Sequence, residues 1–229
     1  MSQSIITNRN EAGKLLAEKL LKYKNKESTI ILAIPRGGVS VGFSLAKALH
    51  LSLDIVLSKK IAHPYNPEFA IGSVCNDTVI MDPTSEVPMA YVESEISRIK
   101  KDLKDRYHHF SGEGKFTDVK DKIVILVDDG IATGNTVLAT IKMLREKKPT
   151  SIIVAVPVLP MDNLGKIKNT ADDLVYLFAP IYFPSVGSFY KEFTQIEDSE
   201  VKKLLAQNKI QQQSPIEEED IYFNEDFLL

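Results

Sequence analysis

Short apolar runs alternate along the chain with stretches in which apolar residues recur every three or four positions. Residues 8–24 place Ala12, Leu15, Leu16, Leu20 and Tyr23 at helical spacing, 29–34 is a β-branched run, 39–49 returns to the helical period, and 53–58 reads as a second strand. A loop with two prolines, HPYNP, follows, and then come strand-like pieces at 69–74 and 78–81. Residues 88–110 predict a long charged helix with Tyr91, Ile96, Ile99, Leu103 and Tyr107 on its buried side. Beyond it the pattern predicts a strand at 123–127, a helix at 135–146, and strands at 152–156 and 174–178. The central runs are continuously apolar, as in strands covered on both faces. Strands alternating with helices predict an α/β fold, three-layer α/β/α with a mostly parallel central sheet.

Residues 197–213 read as a polar surface helix, and 214–229 as a loose acidic tail. The tail holds six acids and no Lys or Arg, so removing it from a chain of net charge −3 leaves a body of +3. A body so weakly basic lacks the concentrated cationic face that duplex binding needs, which argues against a nucleic-acid partner and leaves small anions open. With 229 residues, 44% of them hydrophobic, the chain can bury one large core with appendages. The single cysteine, Cys75, has no disulfide partner, and no His/Cys cluster has zinc-site spacing, so Cys75 reads as a small buried residue in a reducing compartment. No signal-like start and no membrane-length apolar run is present, which predicts a cytoplasmic chain with no membrane partner.

The chemistry concentrates in VILVDDGIATGNTV, residues 124–137. A central parallel strand ending at Val127 puts Asp128 and Asp129 at the carboxyl edge of the sheet, where open α/β sheets bind ligands. Two adjacent acids there repel, so something must use them: sugar hydroxyls, a divalent cation or a helix N-terminus. The residues that follow, Gly130 to Thr136, are mostly small or hydroxylated and lead into a helix, gathering backbone N–H groups and the Thr133 and Thr136 hydroxyls around an anion-sized space. Acids for hydroxyls beside amides for a phosphate describe a receptor for a sugar phosphate. The same turn also reads as a helix cap, with Thr133 or Asn135 as the capping residue.

Four apolar residues, two acids and GIATGNT resemble the phosphoribosyl pyrophosphate (PRPP) signature of the type I phosphoribosyltransferases. The resemblance implies that Asp128 and Asp129 bind the ribose hydroxyls and that Ala132, Thr133, Gly134, Asn135 and Thr136 wrap the 5′-phosphate. A second match lies in ILAIPRGGVSVGFSLA, residues 31–46, where Arg36, Gly37 and Gly38 resemble the family's pyrophosphate loop, often the place of a non-proline cis peptide, here expected near Arg36–Gly37. Two glycines let the backbone approach a charged ligand, and Arg36 offers a forked donor; a plain turn with a solvent-facing Arg is the alternative. Lys59 and Lys60, ending the second strand, are the basic residues expected beside pyrophosphate. The family's mobile lid would then be residues 61–68, with His63, Tyr65 and Glu68 as its candidate contacts. His63 reads equally as a surface histidine, and Glu68 as an ion-pair partner of either lysine. NPEFAIGSV, residues 66–74, is closest to the uncharacterised group of predicted phosphoribosyltransferases.

The resemblance further implies a small hood, built from residues 179–196 and the N-terminal helix on a core of 26–178, the whole domain spanning 1–213. Tyr182, Phe183, Val186 and Tyr190, with Phe189, are either the surface on which a flat ring stacks or a satellite core. The implied activity is Mg²⁺-dependent transfer of ribose 5-phosphate from PRPP to a nitrogenous base with release of pyrophosphate. Mg²⁺ would be held mainly by PRPP oxygens, with Asp128 and Asp129 as additional ligands, and family habit implies a homodimer. PVLP at 157–160 lacks the lysine, and the lid lacks the Ser-Tyr pair, of the 6-oxopurine enzymes. A PRPP- or nucleotide-binding sensor on the same fold is the alternative, and a response-regulator-like module fits the paired motifs poorly.

Overall fold

The computed structural model describes residues 5–81, 87–112 and 115–213, without the side chains of Glu68 and Gln213. The acidic tail therefore lies outside the described residues. Five strands, β1 (Thr29–Ala33), β2 (Ser52–Ile55), β6 (Ile123–Val127), β7 (Ser151–Val158) and β8 (Asp173–Phe178), form a wholly parallel sheet in the order β2-β1-β6-β7-β8. Between β2 and β6 the chain builds a three-stranded antiparallel sheet from β3 (Ser58–His63), β4 (Asn66–Cys75) and β5 (Thr78–Met81). The helices are α1 (Arg9–Lys19), α2 (Gly37–Leu49), α3 (Met89–Ser111), α4 (Asn135–Glu146), α5 (Leu164–Lys168) and α6 (Asp198–Gln213).

Alternation along each buried strand sorts the core into two layers, because successive side chains leave opposite faces of a sheet. Ile31, Ala33, Ile125, Val127, Ile153 and Ala155 pack beneath α1, α2 and α6, whereas Ile30, Leu32, Val124, Leu126, Ile152 and Val154 pack beneath α4 and Ile167 of α5. The result is the three-layer α/β/α arrangement. From β1 the chain steps one way to β2, and from β6 it steps the other way to β7 and β8. The order thus reverses between neighbours β1 and β6, and in open α/β sheets the crevice outside the carboxyl ends of such a pair is where ligands bind.

Three expectations need correction. The segment expected as a loop at 61–68 is the tip and flanks of the β3–β4 hairpin, with Tyr65 at the turn, 88% exposed. β3 escapes the hydrophobic pattern because only its Ile61 is buried, among Lys59, Lys60 and His63, whereas β4 contains the strand-like piece expected at 69–74. The helix at 37–49 starts two residues before the expected position, so both glycines of the PRGG turn belong to its first turn. Finally, α6 is no mere surface helix. Val201, Leu205 and Asn208 are buried, and Asn208 Oδ1 accepts from Leu53 N at 2.8 Å while its Nδ2 donates to Leu51 O at 3.2 Å. β2 is the sheet's edge, and the Asn208 amide satisfies backbone groups that an uncovered edge would leave open. An Asn208→Ala substitution leaves that buried donor and acceptor unpaired, at about 1–3 kcal/mol each. The expected outcome is a lower urea midpoint with an unchanged slope, measured by circular dichroism.

Candidate active site

Asp128 and Asp129 follow β6 directly and face the first turn of α2, which follows neighbouring β1. The approach is so close that a Cβ on Gly37 would lie 1.8 Å from Asp129 Oδ2, and one on Gly38 would lie 3.0 Å from Asp128 Cα. The glycines are therefore needed for the helix start to lie against the acid pair, a contact that the sequence pattern assigns to ligand. In return the carboxylates sit at a helix N-terminus, where negative charge is favourable. The bond between Pro35 and Arg36 is cis, one bond earlier than expected.

Each acid has one oxygen engaged by the protein. Asp128 Oδ1 accepts from Asp129 N at 2.8 Å, and Asp129 Oδ2 accepts from Arg9 Nε at 2.8 Å and stands 2.8 Å from Arg9 Nη2. Burial pushes the Asp128 carboxyl well above its ordinary range, and the adjacent Asp129 charge adds to this while Arg9 opposes it. Sequence reasoning misses Arg9. Its place is fixed locally: Asn8 caps α1 by accepting from the N–H groups of Asn10 and Glu11, and Glu11 reaches back to Thr7 N, so Arg9 is the first helical residue. A cation there opposes the helix dipole, the one sequence signal that its role lies outside α1.

The turn after Asp129 is held from two sides. Ile131 N donates to Val158 O at 2.9 Å, and Asn163 Nδ2 donates to Ala132 O at 2.7 Å. Gly134, in the left-handed region at φ 82°, caps α4 with its backbone alone; neither Thr133 nor Asn135 supplies a side-chain cap. Among the described residues no protein acceptor takes the N–H groups of Ala132 to Thr136. These amides lie at the N-terminal end of α4, where the helix dipole favours negative charge.

Two cavities flank the turn at residues 35–37, and Asp129 lines one of them. One of about 370 Å³ is lined by Arg9, Arg36, Gly37, Asp129 and the segment Phe193 to Ile196. A larger one of about 730 Å³ has Pro35, Ser58, Lys59, Arg106 and Thr136 in its wall. The α3 residues Asp102 and Asp105, both exposed, line it too. Lys59 pairs with Asp102 at 3.1 Å, while Arg36 stands 3.5 Å from Asp198 at the start of α6. Lys60 pairs in register with Ser73, whose hydroxyl touches Met143 of α4; it therefore faces the other side of the hairpin from Lys59. His63 Nδ1 accepts from Tyr65 N within the turn, and Glu68 lies in β4 with its side chain outside the described residues.

The hood joins both ends of the chain. Ile6 bridges Tyr190 in parallel, Ile6 N donates to Phe189 O, and Lys191 N and Glu192 N donate to Ile6 O and Thr7 O. Tyr190 is buried, and its hydroxyl donates to Asp129 O at 2.7 Å, so it braces the acid turn and offers no stacking face. Burial and the Asp129 charge both raise the Tyr190 pKa, keeping the hydroxyl a donor. Phe189 is core, stacked on Phe183 at 5.3 Å, while Tyr182 is 78% exposed and Val186 fills the space over Gly130. Cys75 is buried, its thiol pushed up to about 12 by burial, and plays no part in the site.

Residues 2–179 match the family model described as the phosphoribosyl transferase domain, and the chain belongs to that family. Proteins of Mycobacterium tuberculosis strains CDC 1551 / Oshkosh and H37Rv, which carry the provisional name phosphoribosyl transferase, are 32% identical over 208 residues. The match covers 88% of this chain but 46% of each relative, so the chain spans about half their length. The crystal structure of TT1426 from Thermus thermophilus superposes with a TM-score of 0.76 at 33% identity, covering 89% of this chain and 98% of that one.

The raised Asp128 pKa has a stability consequence whose sign is fixed. An acid that holds its proton more tightly folded than unfolded adds stability at low pH, and loses it as pH rises above its ordinary value of 3.8. Asp128→Asn keeps the acceptor for Asp129 N and removes the buried charge. It should melt above the wild type at pH 7, with the gap closing below about pH 4. Calorimetric melting temperatures across about pH 3.5–8 check this.

Proposed function

We propose that this domain binds PRPP and transfers its ribose 5-phosphate to a nitrogenous base, releasing pyrophosphate. The observation that carries the reading is the convergence, at the switch point between β1 and β6, of a carboxylate pair, a helix N-terminus with unaccepted N–H groups and an Arg-Gly-Gly helix start. Asp128 and Asp129 accept from the ribose hydroxyls. The amides of Ala132 to Thr136 bind the 5′-phosphate. Arg36 and Lys59 line the two adjoining cavities and meet the pyrophosphate, for which their present carboxylate partners, Asp198 and Asp102, are exchanged.

The described residues hold no group of three or more His, Cys, Asp or Glu able to bind a metal unaided. Asp128 and Asp129 would be the additional protein ligands of a Mg²⁺ ion brought mainly by PRPP, since Mg²⁺ keeps waters and takes few protein ligands. When bound it neutralises charge on the pyrophosphate. The protein's part is to orient the ring by its hydroxyls, hold the 5′-phosphate and stabilise the leaving group, so positioning and electrostatics carry the rate. No covalent intermediate on the protein is required. The β3–β4 hairpin, with exposed Tyr65 and Phe69, is the element set to cover the reacting centre and exclude water.

Pyrophosphate release from PRPP and Mg²⁺ across purines, pyrimidines and pyridine carboxylates, with binding followed by calorimetry, tests the reading. Base-dependent release supports it, and tight binding without release for any base points to a sensor. The double variant Asp128→Asn, Asp129→Asn should remain folded and lose measurable PRPP affinity; retained affinity would falsify the site. Arg36→Ala should weaken pyrophosphate by about tenfold to a hundredfold, the range for a charge-assisted hydrogen bond, while sparing ribose 5-phosphate. Equal losses for both ligands would restrict Arg36 to shaping the turn.

A further inference from the structure

Arg9 is a buried guanidinium, 7% exposed, whose donors converge on one place from the far end of the chain. Nε and Nη2 both lie 2.8 Å from the same oxygen, Asp129 Oδ2, and Nη1 donates to Thr194 O at 2.8 Å. Beneath it lies the Phe193 ring, 3.8 Å from the guanidinium carbon to the centroid. Its position at the start of α1 works against the helix dipole, so neither solvent exposure nor helix stability explains it. A single oxygen of Asp129 is thereby taken, by one hydrogen bond from Nε and an ion-pair contact with Nη2, and rotation of the carboxylate would break both.

We propose that Arg9 is a positioning residue for the sugar: it locks Oδ2 of Asp129 so that Oδ1 is presented to a ribose hydroxyl, and links that geometry to the hood through Thr194 and Phe193. The proposal rests on the ribose-binding reading of the acid pair. The fork matters as well as the charge, because a lysine ammonium supplies no rigid pair of donors and stacks poorly on a ring. Arg9 touches no reacting atom. It sets where the hydroxyl acceptor stands, and the same guanidinium fastens the segment 193–194 that walls the adjoining cavity.

The test compares two ligands by calorimetry, ribose 5-phosphate and inorganic phosphate, the second lacking the sugar hydroxyls. The ratio of their dissociation constants measures what the sugar hydroxyls add. In Arg9→Met the ratio should fall by about tenfold or more, the loss of one charge-assisted hydrogen bond, with phosphate affinity unchanged. Arg9→Lys should fall between the two proteins. An unchanged ratio in Arg9→Met overturns the proposal, and Arg9→Lys matching the wild type overturns the role of the fork. A general loss of structure would weaken both ligands together, so the split separates positioning from folding. Should Arg9→Met fail to fold, Phe193→Leu removes only the ring beneath the guanidinium; it should lower the ratio a fewfold, and an unchanged ratio there overturns the proposal equally. A wild-type ratio near one would instead sink the ribose reading itself.

Discussion

Two carboxylates at the end of a strand covered on both faces impose the constraint around which this site is organised. Neither Asp128 nor Asp129 can sit there uncompensated, because charge removed from water must be paired or lose its ionisation. The structure answers with three partners from three parts of the chain: the first turn of α2, the guanidinium of Arg9, and the backbone N–H of Asp129 itself. The compensation is incomplete at Asp128, whose pKa stays high. Stability is thereby sacrificed at a position where a ligand's hydroxyl donors would complete the set.

Breaking a buried ion pair by removing one partner costs about 3–5 kcal/mol, so the Arg9–Asp129 pair also binds the chain's beginning to its centre. Around it the hood assembles from both ends: the bridge of Ile6 to Tyr190, the Tyr190 hydroxyl on Asp129 O, and Phe193 under Arg9. Hood and acid turn are consequently one packed unit. The hairpin β3–β4 supplies Ser58 and Lys59 to the wall of the larger cavity, buries Ile61, Ile71 and Val74, and carries exposed Tyr65 and Phe69.

Lys59 and Arg36, which line the two cavities, both have acidic partners in the structure. Lys59 is held by Asp102, and Arg36 stands near Asp198, which also faces His109 at 3.5 Å. These pairs are partly exposed, and such bridges contribute little net stability. They are correspondingly easy to exchange for phosphate oxygens, which offer more charge and better geometry to a guanidinium fork.

The parallel strands, α4 and the acid–turn–helix stretch were legible in the sequence because each is a local pattern: a continuous apolar run, a 3.6-residue period, or small residues between a strand and a helix. Asp128, Asp129 and Ala132 to Thr136 needed nothing further to be singled out. What tertiary structure alone decided are the contacts between distant segments. β3 hides in the sequence because one buried residue among charges gives no period, and pairing with β4 across the turn supplies the order instead. Asn208 is buried only because its amide matches the open edge of β2. Arg9 lies 120 residues from Asp129, and only the folding of the chain's start onto the carboxyl edge of β6 makes them partners. Local periodicity fixes elements and the groups they carry; which polar groups meet depends on packing that joins sequence-distant positions, and that pairing leaves no period to read.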